Sequence, residues 1–210
     1  MLQYQIIPVT SFQQNCSLVW CDKTRDAVLI DPGGEVDKLQ KAIAENEVNL
    51  TAIWLTHGHL DHVGATAELK KRLAIPVIGP HKEDEFLINA LPKQCEMFGF
   101  ALVENFMPDK WLIEGEKLTL GEEKFSVMYL PGHTPGHVVL KHDKQQLLWV
   151  GDVIFKHSIG RTDFPRGDHQ QLLTSIKTKL LSLDDHFRFI PGHGPESTIG
   201  EERVNNPFLV

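Results

Sequence analysis

The sequence predicts an α/β (α+β) fold of two largely antiparallel β-sheets with helices packed outside them. Two observations predict it. Strand signals fall in two blocks, each followed by helical segments, rather than in strict β–α alternation, which disfavours a doubly wound parallel sheet. The chain of 210 residues, 41% hydrophobic and 23% charged, is also long and apolar enough to bury a substantial core without disulfide support.

The elements follow in order. Leu2 to Ile7 alternates polar and apolar residues, and Cys16 to Cys21 and Ala27 to Ile30 are short apolar runs, so all three read as strands. Asp31-Pro32-Gly33-Gly34 is a turn. Val36, Leu39, Ala42 and Ile43 recur at helical spacing up to about Asn46, and Thr51 to Leu55 returns to strand. Ala65 to Leu73 is a helix whose basic end, Lys70-Lys71-Arg72, suits the negative helix C-terminus. Pro76 to Ile78 is a strand and Lys82 to Ala90 a helix, with the acidic run Glu83-Asp84-Glu85 stabilising its first turn. Residues 91–109 show no period. They are either a loop packed onto the core or an apolar wall and lid over an active site. Lys117 to Leu120, Lys124 to Leu130, His137 to Lys141 and Gln146 to Val150 form the second strand block. A helix over Asp168 to Leu181 and a last strand, Phe187 to Ile190, complete the pattern. No repeat or linker divides the chain, so a single domain over 1–210 is expected.

The charge balance excludes some functions. With 21 basic and 28 acidic side chains the formal net charge is −7, which leaves no basic surplus for nucleic acid or an anionic membrane surface. Three cysteines, Cys16, Cys21 and Cys95, are an odd number that argues against a disulfide framework and for a reducing compartment. The first twelve residues lack the basic start and apolar stretch of a signal peptide, and no run approaches a membrane span, so a cytoplasmic location is expected. No obligate protein partner is implied.

Histidine is the unusual residue, with eleven in the chain. Thr56-His57-Gly58-His59-Leu60-Asp61-His62-Val63-Gly64 places four potential ligands within six positions after an apolar strand. Residues two apart on an extended segment point the same way, so His57 and His59 can converge on one ion, while a turn can direct Asp61 and His62 towards another. Crowding these histidines without a cation would gain little. Three later segments also end an apolar strand with a ligand candidate beside Gly or Pro: Pro131-Gly132-His133, Gly151-Asp152 and Pro191-Gly192-His193-Gly194. Five histidines and two aspartates are too many for one tetrahedral zinc and suit two metals sharing a carboxylate. Without cysteine, the set fits zinc, iron or manganese. Such a pair of ions can hold a bridging hydroxide and polarise a carbonyl, the equipment for hydrolysis.

The strings T-H-x-H-x-D-H, P-G-H-T-P-G-H, G-D and P-G-H-G resemble the metallo-β-lactamase superfamily, and within it the glyoxalase II-like hydrolases, short bacterial members included. The resemblance runs from the strand at Asn15 to Asn206-Pro207-Phe208. It implies a four-layer αββα sandwich and two divalent metal ions. It assigns His57, His59 and His133 to the first, Asp61, His62 and His193 to the second, and Asp152 as the bridge. It implies hydrolysis of S-D-lactoylglutathione to D-lactate and glutathione, a methylglyoxal detoxification step, by a bridging hydroxide attacking the thioester carbonyl. Asp61 would orient that hydroxide. His137 and Asp31 would stand behind the ligands rather than among them, and the remaining histidines default to surface or loop positions.

The longer glyoxalase II enzymes grip glutathione with a C-terminal helical domain, for which this sequence has no counterpart after His193. A basic residue nine positions past the bridging aspartate is matched by Arg161, which would bind a substrate carboxylate or form a loop salt bridge with Asp163 or Asp168. Two tyrosines of the longer enzymes are replaced by Asp163 and Pro195. The expected partner is therefore a small-molecule thioester with weaker or broader recognition. The alternatives are a lactonase-type metallohydrolase and a persulfide dioxygenase-like oxidoreductase with one iron.

Overall fold

The first strand block begins as a meander. β1 (Leu2–Val9) pairs antiparallel with β2 (Gln14–Cys21), and β2 with β3 (Asp26–Ile30). Helix α1 (Val36–Glu45) then returns the chain to β4 (Asn49–Trp54), which lies parallel to β3. Helices α2 (Leu60–Val63) and α3 (Thr66–Leu73) lead to β5 (Val77–Ile78), parallel to β4. The expectation of largely antiparallel sheets is corrected here: two pairings of the first sheet are antiparallel and two are parallel. A helical crossover brings each new strand in along the same direction as the last. This computed structural model describes residues 1–210.

Between the sheets a 3-10 turn (Lys82–Asp84) runs into α4 (Glu85–Asn89) and α5 (Leu91–Phe98). The segment that shows no period in sequence thus opens as a helix. Pro92 occupies its first turn, where a missing N–H leaves no hydrogen bond unmade, and Gly99 ends it at φ 69°.

The second block is the meander β6 (Lys117–Leu120), β7 (Glu123–Tyr129), β8 (Val138–His142) and β9 (Leu147–Gly151). A small hairpin, β10 (Ile154–Phe155) with β11 (Ser158–Ile159), precedes α6 (His169–Ser175), which continues as a π-helical stretch, Ile176–Leu180. β12 (Arg188–Pro191) joins β9 in parallel, and β13 (Ser197–Thr198) and α7 (Ile199–Asn205) close the chain. The sheet order is β13-β12-β9-β8-β7-β6.

The layers follow from side-chain alternation. Cys16, Leu18 and Trp20 of β2 face a core shared with Leu39 of α1 and Leu69 of α3, while Val19 faces the opposite way. In β9, Leu147 and Trp149 face the first sheet, while Leu148 and Val150 pack on Leu172 and Ile176 below α6. Central strands covered on both faces read as unbroken apolar runs, because both phases of the pleat are buried. Trp54 meets Phe125 across the sheets edge to face at 5.1 Å. The result is the α/β/β/α sandwich that the resemblance implies.

Strand direction places the ligand candidates. β9 and β12 run parallel, and β7 lies two antiparallel steps from β9, so all three end at one edge of the second sheet. β4 ends beside them: Thr56 accepts from the Val138 amide at 2.8 Å, and Asn15 of β2 donates to Gly192 at 2.7 Å. Four loops from two sheets therefore meet at one edge.

Candidate metal centre

Every ligand candidate from the four motifs comes to this edge. His59 Nδ1 stands 3.0 Å from His133 Nε2, and the His57 ring lies 4.9 and 5.1 Å from theirs. Opposite, Asp61 Oδ2 lies 3.1 Å from His193 Nε2 and 3.8 Å from His62 Nε2. Asp152 reaches both groups, with Oδ1 3.3 Å from His62 Nε2, and Oδ2 3.6 Å from His133 Nε2 and 3.8 Å from His193 Nε2. Asp61 and His62 belong to the short helix α2 rather than to a turn. Gly192 leaves the room that the Asp152 carboxylate needs, since a Cβ there would fall 2.1 Å from Asp152 Oδ1 and 2.5 Å from the His62 ring.

Hydrogen bonds behind the imidazoles fix which nitrogen faces inward. His133 Nδ1 donates to the Arg161 carbonyl at 2.7 Å and His193 Nδ1 to the Phe12 carbonyl at 3.1 Å. His62 Nδ1 donates to Asp31 Oδ2 at 3.0 Å. The Thr56 hydroxyl donates to the same oxygen at 2.6 Å, and so presents a lone pair to His57 Nδ1–H at 3.0 Å. In each of the four rings the Nδ1 proton is engaged, so in the neutral imidazole Nε2 carries the free lone pair. His57 Nε2, His62 Nε2 and Asp152 Oδ1 are buried without any hydrogen-bond partner. Orphaned buried acceptors are costly, and several converging on one spot fit a cation. His57, His59 and His133 could hold one ion, and Asp61, His62 and His193 another.

His137 and Asp31 sit where the sequence places them, behind the cluster. His137 Nε2 accepts from the Asp152 amide at 3.1 Å, which removes it from the ligand set. Asp31 also accepts the Thr56 amide at 2.7 Å. Such partners set ring orientation and tautomer. Sequence reasoning missed Gln14, whose buried amide stands 3.3 Å from His62 Nδ1. Its signal was a glutamine, the second of the pair Gln13-Gln14, at the head of an apolar strand.

The electrostatics divide the site. Burial, reinforced by the neighbouring imidazoles, drives His57 and His137 well below the ordinary histidine range. Burial and His133 bring His59 to about 3, and burial lowers His133. Burial also disfavours a charged His62, but Asp152 and Asp61 outweigh it and raise that imidazole well above its ordinary value. His193 is raised in the same way, against burial, by Asp61 and Asp152. Burial alone would raise Asp152 and Asp61, but His62 above all holds both low.

A cavity of about 830 Å³ opens over the cluster. His59, Asp61, His133, Asp152 and His193 form its floor, and its walls include Phe12, Phe86, Met97, Phe98, Phe155 and Phe164. Helix α5 therefore turns Lys93, Gln94, Met97 and Phe98 to this cavity, whereas its Leu91 and Cys95, and Phe100, Val103 and Phe106 farther along, pack on the core. Arg161 lines the cavity, but its guanidinium is paired with both oxygens of Asp163 at 2.6 and 2.7 Å and lies over the Phe164 ring at 4.4 Å. Asp168 instead caps α6. Lys93 and Lys156 also line the cavity and form no ion pair.

Two surface expectations are corrected. His142 is buried, bonded at 3.0 Å to Glu123, because its strand end is sealed by the chain's own N-terminus. Asp84, expected with Glu83 and Glu85 to stabilise the first turn of a helix, is fully buried and turned towards the ligand loops. Burial pushes its carboxyl up to about 6, against the pull of Thr134, Gly136 and Gly58.

Comparison with known proteins agrees with this geometry. A sequence model described as the metallo-beta-lactamase superfamily matches residues 9–193. The hydroxyacylglutathione hydrolase GloC of Haemophilus influenzae is 48% identical over 209 residues, covering 99% of this chain and 98% of its own. The crystal structure of the BLEG-1 B3 metallo-beta-lactamase superposes with a TM-score of 0.91 at 37% identity, covering 99% of each chain. The di-iron-bound form of TTHA1623 superposes at 0.90 with 38% identity, covering 98% of this chain and 100% of its own. This chain belongs to the metallo-beta-lactamase superfamily.

Proposed function

We propose that this protein is a two-metal thioester hydrolase of the glyoxalase II type, converting S-D-lactoylglutathione to D-lactate and glutathione. The observation that carries the reading is Asp152, whose carboxylate stands within 3.8 Å of imidazole nitrogens from both ligand groups while its Oδ1 has no hydrogen-bond partner. The name of the H. influenzae relative supports the substrate.

In this reading His57, His59 and His133 would hold one ion, Asp61, His62 and His193 would hold the other, and Asp152 would serve both. When bound, the pair supplies Lewis acidity that activates water near neutral pH and polarises the thioester carbonyl. The imidazole and carboxylate set suits zinc and iron alike, and the di-iron relative supports iron as fully as zinc. Asp61 accepts a hydrogen bond from the attacking water and orients it. The thiolate is a good leaving group, so the site requires no strong general acid. The apolar walls exclude bulk water and enclose the substrate's carbon skeleton, while Lys93 and Lys156 are free to meet its carboxylates.

Hydrolysis of S-D-lactoylglutathione, followed at the thioester absorbance with metal-replete and chelator-treated protein, tests the reading. Turnover that disappears on chelation and returns with metal is expected. No turnover by replete protein holding two metals overturns the substrate, and lactones and persulfides are then the classes to assay. One iron per chain with oxygen consumption would overturn the hydrolase.

A further inference from the structure

One buried carboxylate ties together the loops that carry the three-histidine face. Asp84 Oδ2 accepts the Gly58 amide at 3.0 Å and the Thr134 hydroxyl at 2.8 Å, and Oδ1 accepts the Gly136 amide at 2.6 Å. Gly58 is the residue between His57 and His59, Thr134 follows His133, and Gly136 precedes His137. A single side chain thus holds a residue next to each of the three histidines of one face, and next to the imidazole that accepts the Asp152 amide. Packing is equally close: a Cβ on Gly136 would fall 2.6 Å from Asp84 Oδ1, and one on Gly58 would fall 2.9 Å from the Leu87 Cβ. The other face has its own braces in Asp31 and the Phe12 carbonyl, and Asp84 touches none of Asp61, His62 or His193.

Asp84 also begins the wall. Phe86 and Leu87, two and three residues on, line the cavity, and Arg166 pairs with Glu83 from the loop opposite. We propose that Asp84 is a positioning residue that sets the spacing of His57, His59 and His133 and fastens the substrate wall to that face. Three charge-assisted hydrogen bonds to one carboxylate are geometrically demanding, because both oxygens must accept. An asparagine can replace only one of them, and turns its amide donor on the donors that the other served.

The inference rests on reading those histidines as ligands, and not on the identity of the substrate. It is tested by cobalt(II) titration of chelator-treated protein, following visible absorption and bound stoichiometry, for wild type, Asp84→Asn and Thr134→Val. Glu123→Gln serves as the control. Glu123 is another buried carboxylate, bonded to His142 and the N-terminus away from the cavity. Removing a partner behind a ligand typically weakens metal binding about 10–100-fold. Asp84→Asn is expected to weaken one of two cobalt sites by that amount and leave the other near wild type, with Thr134→Val weaker by a smaller factor. Glu123→Gln is expected to lower Tm with cobalt affinity unchanged. Wild-type affinity at both sites in Asp84→Asn and Thr134→Val, with Tm alone reduced, overturns the positioning role. If Asp84→Asn does not fold, Thr134→Val decides, since it removes one donor and keeps the carboxylate. A wild type with no two-site cobalt binding overturns the ligand reading itself.

Discussion

The floor and the wall of the cavity are built on opposite rules. In the floor four of the five imidazoles are braced from behind by a carbonyl, a carboxylate or a hydroxyl, and His57, His62 and His133 are almost wholly buried. The wall is assembled from side chains of separate loops and helices, several of them open to solvent, such as Met97 at 64% and Phe12 at 45% exposed. Its members touch mainly through ring edges, as Phe12 does with Phe98 and Phe100 at 6.0 and 5.2 Å. The floor is organised before any substrate arrives, as reaction chemistry requires. The wall encloses without prescribing. Damage to the floor should therefore appear in metal content and kcat, and damage to the wall in KM.

The largest effect is expected at Asp152, the one floor residue common to both ligand groups. Asp152→Ala should abolish turnover, a loss of about a thousandfold or more if both ions contribute to the barrier. The fold should survive, because Asp152 lies past the end of β9 and contributes no apolar packing. Full turnover in Asp152→Ala would break the shared-site mechanism. Next comes Asp31→Asn, which removes the anion behind His62 and the acceptor of the Thr56 hydroxyl. A drop of about 10–100-fold in metal affinity is expected, read by competition with a chelator. An unchanged affinity would mean that the floor does not depend on its braces.

The contrast also predicts a pH dependence for the metal-free protein. His57, His59, His133 and His137 all have pKa values below the ordinary 6.5, with His59 at about 3. The unfolded chain then takes up protons between about pH 6.5 and 3 that the native state refuses, so this stability is present above 6.5 and is lost on acidification. Asp84, raised to about 6, works in the other direction between its ordinary value and 6, but it is one group against four. His62 and His193, raised, are protonated in both states below 6.5 and add no slope there. The Tm of chelator-treated protein should fall between about pH 6.5 and 5. A flat profile would contradict the buried neutral imidazoles.

The same division explains what was legible in the sequence. The floor could be read because its candidate ligands stand at strand ends, next to glycines and prolines, in short strings that few other roles would produce. Its braces were harder. Asp31 lies in a recognisable turn and His137 completes a T-P-G-H string, whereas Asp84 hides in Glu83-Asp84-Glu85, where one inward acid looks like two outward ones. The sandwich could be read from two strand blocks, but not the parallel pairings of the first sheet, which depend on where α1 and α3 pack. Helix α5 went unseen because eight residues opening on Leu91-Pro92 present too few turns for a period to emerge. The wall was least legible, since Phe12, Met97, Phe155 and Phe164 are far apart in sequence and only the fold collects them.

The smallest effects are expected on the wall, where they discriminate most finely. Lys93→Ala should raise KM for S-D-lactoylglutathione by up to about fivefold with kcat unchanged, as for the loss of one exposed charge contact. Met97→Ser should raise it less and regardless of substrate charge, through lost apolar contact. Arg161→Ala is the sharpest case, because family resemblance assigns that position to the substrate carboxylate while the structure commits it to Asp163. To grip a substrate, the guanidinium must release two hydrogen bonds of 2.6 and 2.7 Å and leave Asp163, which it holds down to about 2, without its partner. The gain is then the difference between two solvent-exposed ion pairs, each of little worth in water. Arg161→Ala should thus change KM by less than Lys93→Ala does, for an anionic thioester and a neutral one alike. Removing Asp163 instead, as Asp163→Asn, frees the guanidinium and should lower KM for the anionic substrate alone. If Arg161→Ala raised KM for the anionic thioester more than Lys93→Ala, the wall would hold a prescribed contact after all, and the contrast with the floor would fail at that residue.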